Sequence, residues 1–316
     1  PLAASATMIS ARAWIPRLAL ALGIVGLTLL LGRVWCGWLC PMGTLLDWIR
    51  FPGARRRAEK LSHRWKQVKH VLLLTIGGLA LFGSLWLLVL DPITLLTRTM
   101  TTAILPAVNH AVTAVERALY GVPFMRPAVD AVERVLRGPV LPVDQPAFSQ
   151  NVLIALLFGG VVALNALAHR FWCRNLCPLG ALLSWLSKIS LLRPVLGDAC
   201  TACGRCDTVC PVDAIETGER YEIVPSECTV CLDCLAACPQ QAAGFRWHWR
   251  PDGFRDTDPT RRQALAALGV SAAGVALLRT GHRAEQPDPR LIRPPGVRDE
   301  AEFLSRCLRC SQCMKV

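Results

Sequence analysis

The chain has 316 residues, 53% of them hydrophobic, with 35 Lys and Arg against 23 Asp and Glu and a net charge of +12. That charge is broken up by long apolar stretches, and no zinc finger or Arg/aromatic single-strand platform accompanies it, which argues against a nucleic-acid partner and for membrane topology. Its 15 cysteines fall in groups of two, two, four, four and three at metal-ligand spacing, which is not a disulfide scaffold, and no hydrolase or nucleotide-binding signature is present.

In chain order, residues 18–34 carry no charge before Arg33 and approach the length of a membrane span. At their end stands Trp35-Cys36-Gly37-Trp38-Leu39-Cys40-Pro41, whose spacing predicts both thiols on one helical face and a bend at the proline. Residues 50–69 hold eight Lys and Arg against one acid, and residues 71–90 form a clean 20-residue candidate span. Residues 107–119 and 128–136 have the spacing of short amphipathic helices, expected on the membrane surface or capping the bundle, and residues 152–168 are a third candidate span. Basic loops stay inside, so the 50–69 loop is expected in the cytoplasm and the charge-balanced 92–150 segment outside. That topology asks for one further span upstream of Pro1.

Trp172-Cys173-Arg174-Asn175-Leu176-Cys177-Pro178 opens a second copy of residues 35–48, identical at nine of fourteen positions. The two copies are therefore expected to play equivalent roles. Cys36, Cys40, Cys173 and Cys177 are candidate ligands of a cluster or redox thiols; transient metal or disulfide chemistry and inert packing are the alternatives. His70 and His169, at span ends, raise a bis-histidine haem, although interfacial histidines beside basic residues are commoner.

The chemistry is plainest in Cys200, Cys203, Cys206 and Cys210-Pro211, followed by Cys228, Cys231, Cys234 and Cys238-Pro239. Both runs read C-x-x-C-x-x-C-x-x-x-C-P, the spacing of bacterial two-cluster ferredoxins, in which the fourth cysteine serves the other cluster. One [4Fe–4S] cluster is assigned to Cys200, Cys203, Cys206 and Cys238, the other to Cys228, Cys231, Cys234 and Cys210. Structural zinc sites pair two C-x-x-C arms and do not repeat a third cysteine in this way. Such thiols are loaded while reduced, which again puts this segment in the cytoplasm. A third run, Cys307, Cys310 and Cys313, stops three residues before the end, so the sequence reads as a piece of a longer protein with a further cluster there.

The expected architecture is a membrane α-helical bundle with three visible spans, joined to a small α+β dicluster ferredoxin domain. Its parts are residues 1–50 with the first span and motif, 51–150 with the basic loop, second span and outer segment, and 151–195 with the third span and second motif. Residues 196–245 are the ferredoxin domain, 246–300 a hydrophobic segment and Pro-rich linker, and 301–316 the start of another module.

Taken together, candidate spans, two C-x-x-x-C-P motifs and a dicluster ferredoxin over residues 16–240 resemble the NapH-type quinol dehydrogenase membrane subunits. The same superfamily includes the nitrous-oxide reductase regulator and the cytochrome oxidase accessory ferredoxin. The resemblance implies four spans, a bacterial inner-membrane location, cytoplasmic clusters and electron transfer from menaquinol or ubiquinol towards periplasmic acceptors, and the expected partner is a cytochrome or a molybdenum or copper reductase. Thr260-Arg261-Arg262-Gln263, before an apolar run to Leu278, is similar to a twin-arginine signal, and with the third cysteine run resembles the start of a NapG-type ferredoxin, implying an extracytoplasmic C-terminal segment. An accessory reductase for metalloenzyme assembly and a redox sensor are the competing functions.

Overall fold

In the computed structural model, residues 2–11, 19–49, 51, 65–136, 151–218, 221–247, 259–278 and 303 are described. Cys307, Cys310, Cys313 and residues 52–64 of the basic loop lie outside them. Helices occupy the first part of the chain: α1 (Leu2–Ala11), α2 (Ala19–Leu31), α3 (Pro41–Trp48), α4 (Trp65–Leu81), α5 (Pro92–Thr99), α6 (Leu105–Tyr120), α7 (Arg126–Leu136), α8 (Asn151–Leu164) and α9 (Pro178–Ser187). Five-residue π-helical turns lie at Trp35–Leu39, Met100–Ile104 and Trp172–Leu176. Among the described residues strands are confined to the cysteine-rich segment, in the order β1 (Leu192–Leu196), α10 (Arg205–Val209), β2 (Ile215–Glu216), β3 (Glu222–Ile223), α11 (Asp233–Ala237), β4 (Ala243–Trp247), before α12 (Arg261–Leu278).

The chain forms two compact units, Pro1–Ile93 with Val161–Pro287, and Thr94–Gly160 with Asp288–Val316. In the second unit α6 and α7 are the two amphipathic helices read from the sequence, linked by a turn in which Arg126 covers the Tyr120 ring at 5.6 Å. In the first unit α4 is the hub, with α1, α9, α12 and the Trp172–Leu176 turn packed on it. α12 is fixed by a capping box, Gln263 N donating to Thr260 Oγ1 and Thr260 N to Gln263 Oε1. Further along, Ser271 Oγ donates to the Thr75 carbonyl at 3.0 Å, and a Cβ on Gly78 would come within 2.6 Å of that hydroxyl, so glycine lets the two helices close.

The expected membrane bundle is corrected here. Among the described residues no helix is long and apolar enough to cross a membrane. The hydrocarbon layer is about 30 Å thick and asks for about 20 apolar helical residues. α2 has 13 residues and stops where Gly32 turns left-handed (φ 75); α8 has 14. α4 has 17, or about 25 Å of helix. Its end is a left-handed cap at Gly83 (φ 78), with Ser84 N donating to the Leu79 carbonyl at 2.8 Å, so the run to Leu90 breaks into a separate 3-10 turn. α12 has 18 residues but opens on two arginines and is rich in alanine and glycine. The multi-pass inner-membrane location, the inside–outside placement of the segments and the extracytoplasmic C-terminus were built on those spans and fall with them, and the cytoplasmic ferredoxin loses its topological argument. The inference of a further span upstream loses the same basis.

The dicluster segment is closed by two antiparallel pairs, β1 with β4 (Leu192 opposite Trp247, Leu196 opposite Ala243) and β2 with β3 (Ile215 opposite Ile223). Cys206, Ile215 and Ile223 form its small core, flanked by Leu196, Cys210, Tyr221, Cys228 and Cys234.

Candidate iron–sulfur centres

The two halves of the dicluster segment repeat one backbone plan. Positive φ recurs two and four residues after the first cysteine, at Ala202 (52°) and Gly204 (74°), then at Val230 (54°) and Leu232 (71°). It recurs again three residues after each Cys-Pro cysteine, at Asp213 (54°) and Gln241 (50°). Left-handed backbone is costly for any residue with a Cβ, most of all for Val230 and Leu232. After Asp213 and Gln241 it re-aims the next amide, Ala214 N donating to Cys210 Sγ and Ala242 N to Cys238 Sγ, while Val230 donates its own N to Cys228 Sγ, each at 3.3 Å. Amides directed at sulfur favour thiolates and tune a cluster bound there.

The eight cysteines line two separate cavities. Cys200, Cys203, Cys206 and Cys238 surround one, with Gly204 and Tyr221. Cys210, Cys228, Cys231 and Cys234 surround the other, with Val212, Ile215 and Phe245. Burial pushes Cys228 up to about 12 and Cys231 and Cys234 up to about 11, so these thiols hold their protons near neutrality until a metal replaces them. Cys238 goes the other way, lowered by the amides of Ala243 and its neighbours. Among the described residues no three His, Cys, Asp or Glu side chains close on a point that would hold a single metal ion. A cubane has four irons and four sulfides between its thiolates and fits such a wider arrangement.

In the repeat, the thiol pairs do not sit on an α-helical face as the spacing predicts. Cys36 and Cys173 lie in π turns closed by Cys40 N to the Trp35 carbonyl and Cys177 N to the Trp172 carbonyl, both at 2.8 Å. Cys40 and Cys177 are extended (ψ 114° and 112°) and cap α3 and α9, whose first residues are Pro41 and Pro178. Gly180 N donates to Cys177 Sγ at 3.2 Å. The four thiols converge: Cys173 lies within electrostatic range of Cys40 and Cys36, and Cys177 of all three others. Burial drives Cys40 up to about 11, Cys173 up to about 12 and Cys177 well above its ordinary value.

Around these thiols the structure leaves hydrogen-bond donors waiting. Arg33 Nε, Trp35 Nε1, Trp172 Nε1, Arg174 Nε and Asn175 Nδ2 are buried without a partner among the described residues. All five lie within three residues of Cys36 or Cys173. An acceptor-rich anion, such as a cluster with its sulfides and thiolates, would satisfy them.

The dicluster segment is seated on this site. Trp38 Nε1 donates to the Val230 carbonyl at 2.9 Å, and Gly37 lies so close to the Thr229 carbonyl that a Cβ there would collide with it. Arg33 Nη1 donates to the Ser226 and Glu227 carbonyls at 3.0 and 3.3 Å. Glu227 is buried in an ion pair with Lys69; burial opposes its charge, but Lys69 and Arg33 hold its carboxyl below the usual range. On the other flank Arg174 Nη2 and Lys66 Nζ reach Asp213 Oδ2 at 2.8 and 2.9 Å. Lys66 and Lys69, from the basic run, thus meet acids of the dicluster segment. Arg170 pairs with Asp47, which also faces His169 Nε2 at 3.0 Å, whereas His70 stacks on Trp185 at 5.7 Å, so the two histidines have separate partners.

Sequence reading missed Arg33, Arg170 and Glu227. The signal for the arginines was present: each stands three residues before the first cysteine of its copy, just outside the fourteen residues compared. Nothing local marks Glu227.

The family described as "4Fe-4S binding domain" matches residues 13–59 and 150–197, one copy of the repeat in each, and the "4Fe-4S dicluster domain" matches residues 199–242. On these matches the chain binds [4Fe–4S] clusters. YccM of Escherichia coli is 27% identical over 235 residues, 70% of this chain and 52% of YccM. Protein NirI of Paracoccus denitrificans is 31% identical over 222 residues, 68% of this chain and 26% of NirI. The ferredoxin-type protein NapH of Haemophilus influenzae is 22% identical over 225 residues, 67% of this chain and 62% of NapH. The chain thus spans about half of YccM and a quarter of NirI. No solved structure is detectably similar to it.

Proposed function

The chain belongs to the NapH-like polyferredoxins, and on that premise we propose that it is a three-centre electron relay between the quinone pool and a partner oxidoreductase. Cys36, Cys40, Cys173 and Cys177 hold the inner centre. Cys210, Cys228, Cys231 and Cys234 hold the middle one, and Cys200, Cys203, Cys206 and Cys238 the outer one. Each cubane supplies a one-electron carrier; the chain fixes the order in which they meet.

The observation that carries this reading is the seat of Thr229 and Val230, between two ligands of the middle centre, on Gly37 and Trp38, between two ligands of the inner centre. Backbone in direct contact keeps two carriers close without a mobile hinge. Middle and outer centres are knit by the contact of α10 with α11 and by the crossing of Cys210 and Cys238. Cys203 is exposed, so the outer centre reaches the surface where a redox partner would exchange electrons.

The test is iron and sulfide analysis with anaerobic EPR on the full chain and on the variant Cys36→Ser/Cys40→Ser/Cys173→Ser/Cys177→Ser. The relay predicts a loss of about four irons and one EPR component in the variant, and reduction of the wild type by quinol. Unchanged iron in the variant would remove the inner centre. Reduction by dithionite but never by quinol would remove the quinone end.

A further inference from the structure

Arg33 and Arg170 are each 2% exposed, and they are exchanged between the copies of the repeat. Arg33, leading the first copy, brings Nη2 within 3.0 Å of where a Cβ on Gly180 of the second copy would stand, and lies in electrostatic range of Cys177 as well as Cys36. Arg170, leading the second copy, places its Cζ 3.9 Å from the same point on Gly43 of the first, and its Nη1 donates to the Cys36 carbonyl at 3.4 Å. At Gly180 a Cβ would crowd the Arg33 guanidinium, whereas at Gly43 the tight neighbour is the Cys36 carbonyl at 3.0 Å and Arg170 stands at ordinary contact distance.

Buried cations are costly unless anions face them. The carboxylates nearby balance these only in part. Glu227 answers both Arg33 and Lys69, leaving one positive charge over, whereas Asp47 answers Arg170 one for one. The surplus, with the five unpartnered N–H donors, prepares the site for an anion whose charge grows.

We propose that Arg33 and Arg170 are the charge-compensating pair of the inner centre, each reaching across to the other copy's thiols, and that they raise its reduction potential. The proposal rests on the inner centre holding a cluster. Reduction adds one negative charge to a cubane on four thiolates, and a cation in a low-dielectric surround favours the reduced form. Arg33 also holds the dicluster loop, so Arg170 separates the roles more cleanly.

The experiment is an anaerobic EPR redox titration of the full chain with iron quantified throughout, the inner centre being the component lost in the four-serine variant. Arg170→Gln is expected to shift its midpoint down, Arg170→Lys to restore it, and Asp47→Asn to shift it up, with the outer midpoint unmoved and a smaller shift in the middle one, whose Cys231 also feels Arg170. Opposite signs from neighbouring substitutions are not what loosened packing produces. An inner midpoint that ignores both Arg170→Gln and Asp47→Asn at full iron content, or moves the same way in both, overturns the proposal. Should Arg170→Gln lose its iron altogether, Asp47→Asn decides alone: a midpoint that does not rise overturns it. Wild-type iron equal to that of the four-serine variant instead defeats the cluster assignment on which the proposal stands.

Discussion

The two copies of the repeat agree where they shape a thiol turn and differ where they meet the rest of the chain. Tryptophan, both cysteines, proline and the glycine two residues later are common to both, and so are the π turn and the capped helix. The first copy has Gly37 and Trp38 where the second has Arg174 and Asn175, and Asp47 where the second has Ser184. Those differences decide partners. Gly37 and Trp38 admit the Thr229–Val230 backbone, while Arg174 grips Asp213. Asp47 supplies the carboxylate for Arg170 from within the repeat; with Ser184 in its place, Arg33 takes its carboxylate from Glu227 of the dicluster segment. A duplicated motif thus keeps its chemistry symmetric and uses its asymmetry to choose the docking face.

The sharpest way to break that comparison is to remove each carboxylate in turn. Glu227→Gln leaves Lys69 and Arg33 buried without their counter-ion and should cost about 3–5 kcal/mol. Asp47→Asn also takes the carboxylate from a buried arginine, but from a side chain 31% exposed, and should cost less, about 1–3 kcal/mol. Urea unfolding followed by tryptophan fluorescence measures both, and equal losses would mean that the two flanks are not distinct. Next in size, Gly37→Ala pushes a methyl into the Thr229 carbonyl and should cost about 1–3 kcal/mol, with faster amide exchange over residues 226–231. Unaltered exchange there would show the seat to be looser than its geometry.

A smaller test compares the two halves of the dicluster segment. Gly204 and Leu232 hold the same left-handed place. Gly204→Ala should lose about 1 kcal/mol and Leu232→Gly gain a comparable amount by relieving the backbone. A loss from Leu232→Gly would mean that its side-chain packing outweighs the strain. The smallest effect is in pH. Asp47 feels burial, but His169 and Arg170 hold its carboxyl well below the usual range. Its contribution is complete above the unfolded carboxylate pKa of about 4 and is lost as pH falls towards the folded value. The stability gap between wild type and Asp47→Asn should therefore narrow on acidification, and a gap that widens would contradict the pairing.

Much of the site was legible residue by residue. The C-x-x-C-x-x-C-x-x-x-C-P spacing names thiolate ligands because reach and sulfur chemistry are local properties. The identity of residues 35–48 with 172–185 exposed the second set of thiols for the same reason. The helices were visible as apolar runs, but their ends were not. Gly32 and Gly83 sit inside or at the edge of runs that hydropathy joins, and a left-handed glycine stops a helix whatever surrounds it. The π turn was missed because one extra residue in a turn leaves no mark in a spacing rule.

Composition and spacing by themselves determined which thiols are the candidate ligands of this protein and that they come in related halves. Tertiary structure alone decided that Arg33 crosses to the second copy, that Glu227 completes its pairing and that Thr229 rests on Gly37. Those contacts join residues as far apart as Arg33 and Ser226, 193 positions along the chain. Ligand identity is fixed by the bonds a side chain can make, whereas the field around a ligand is summed over neighbours that only the folded chain brings near.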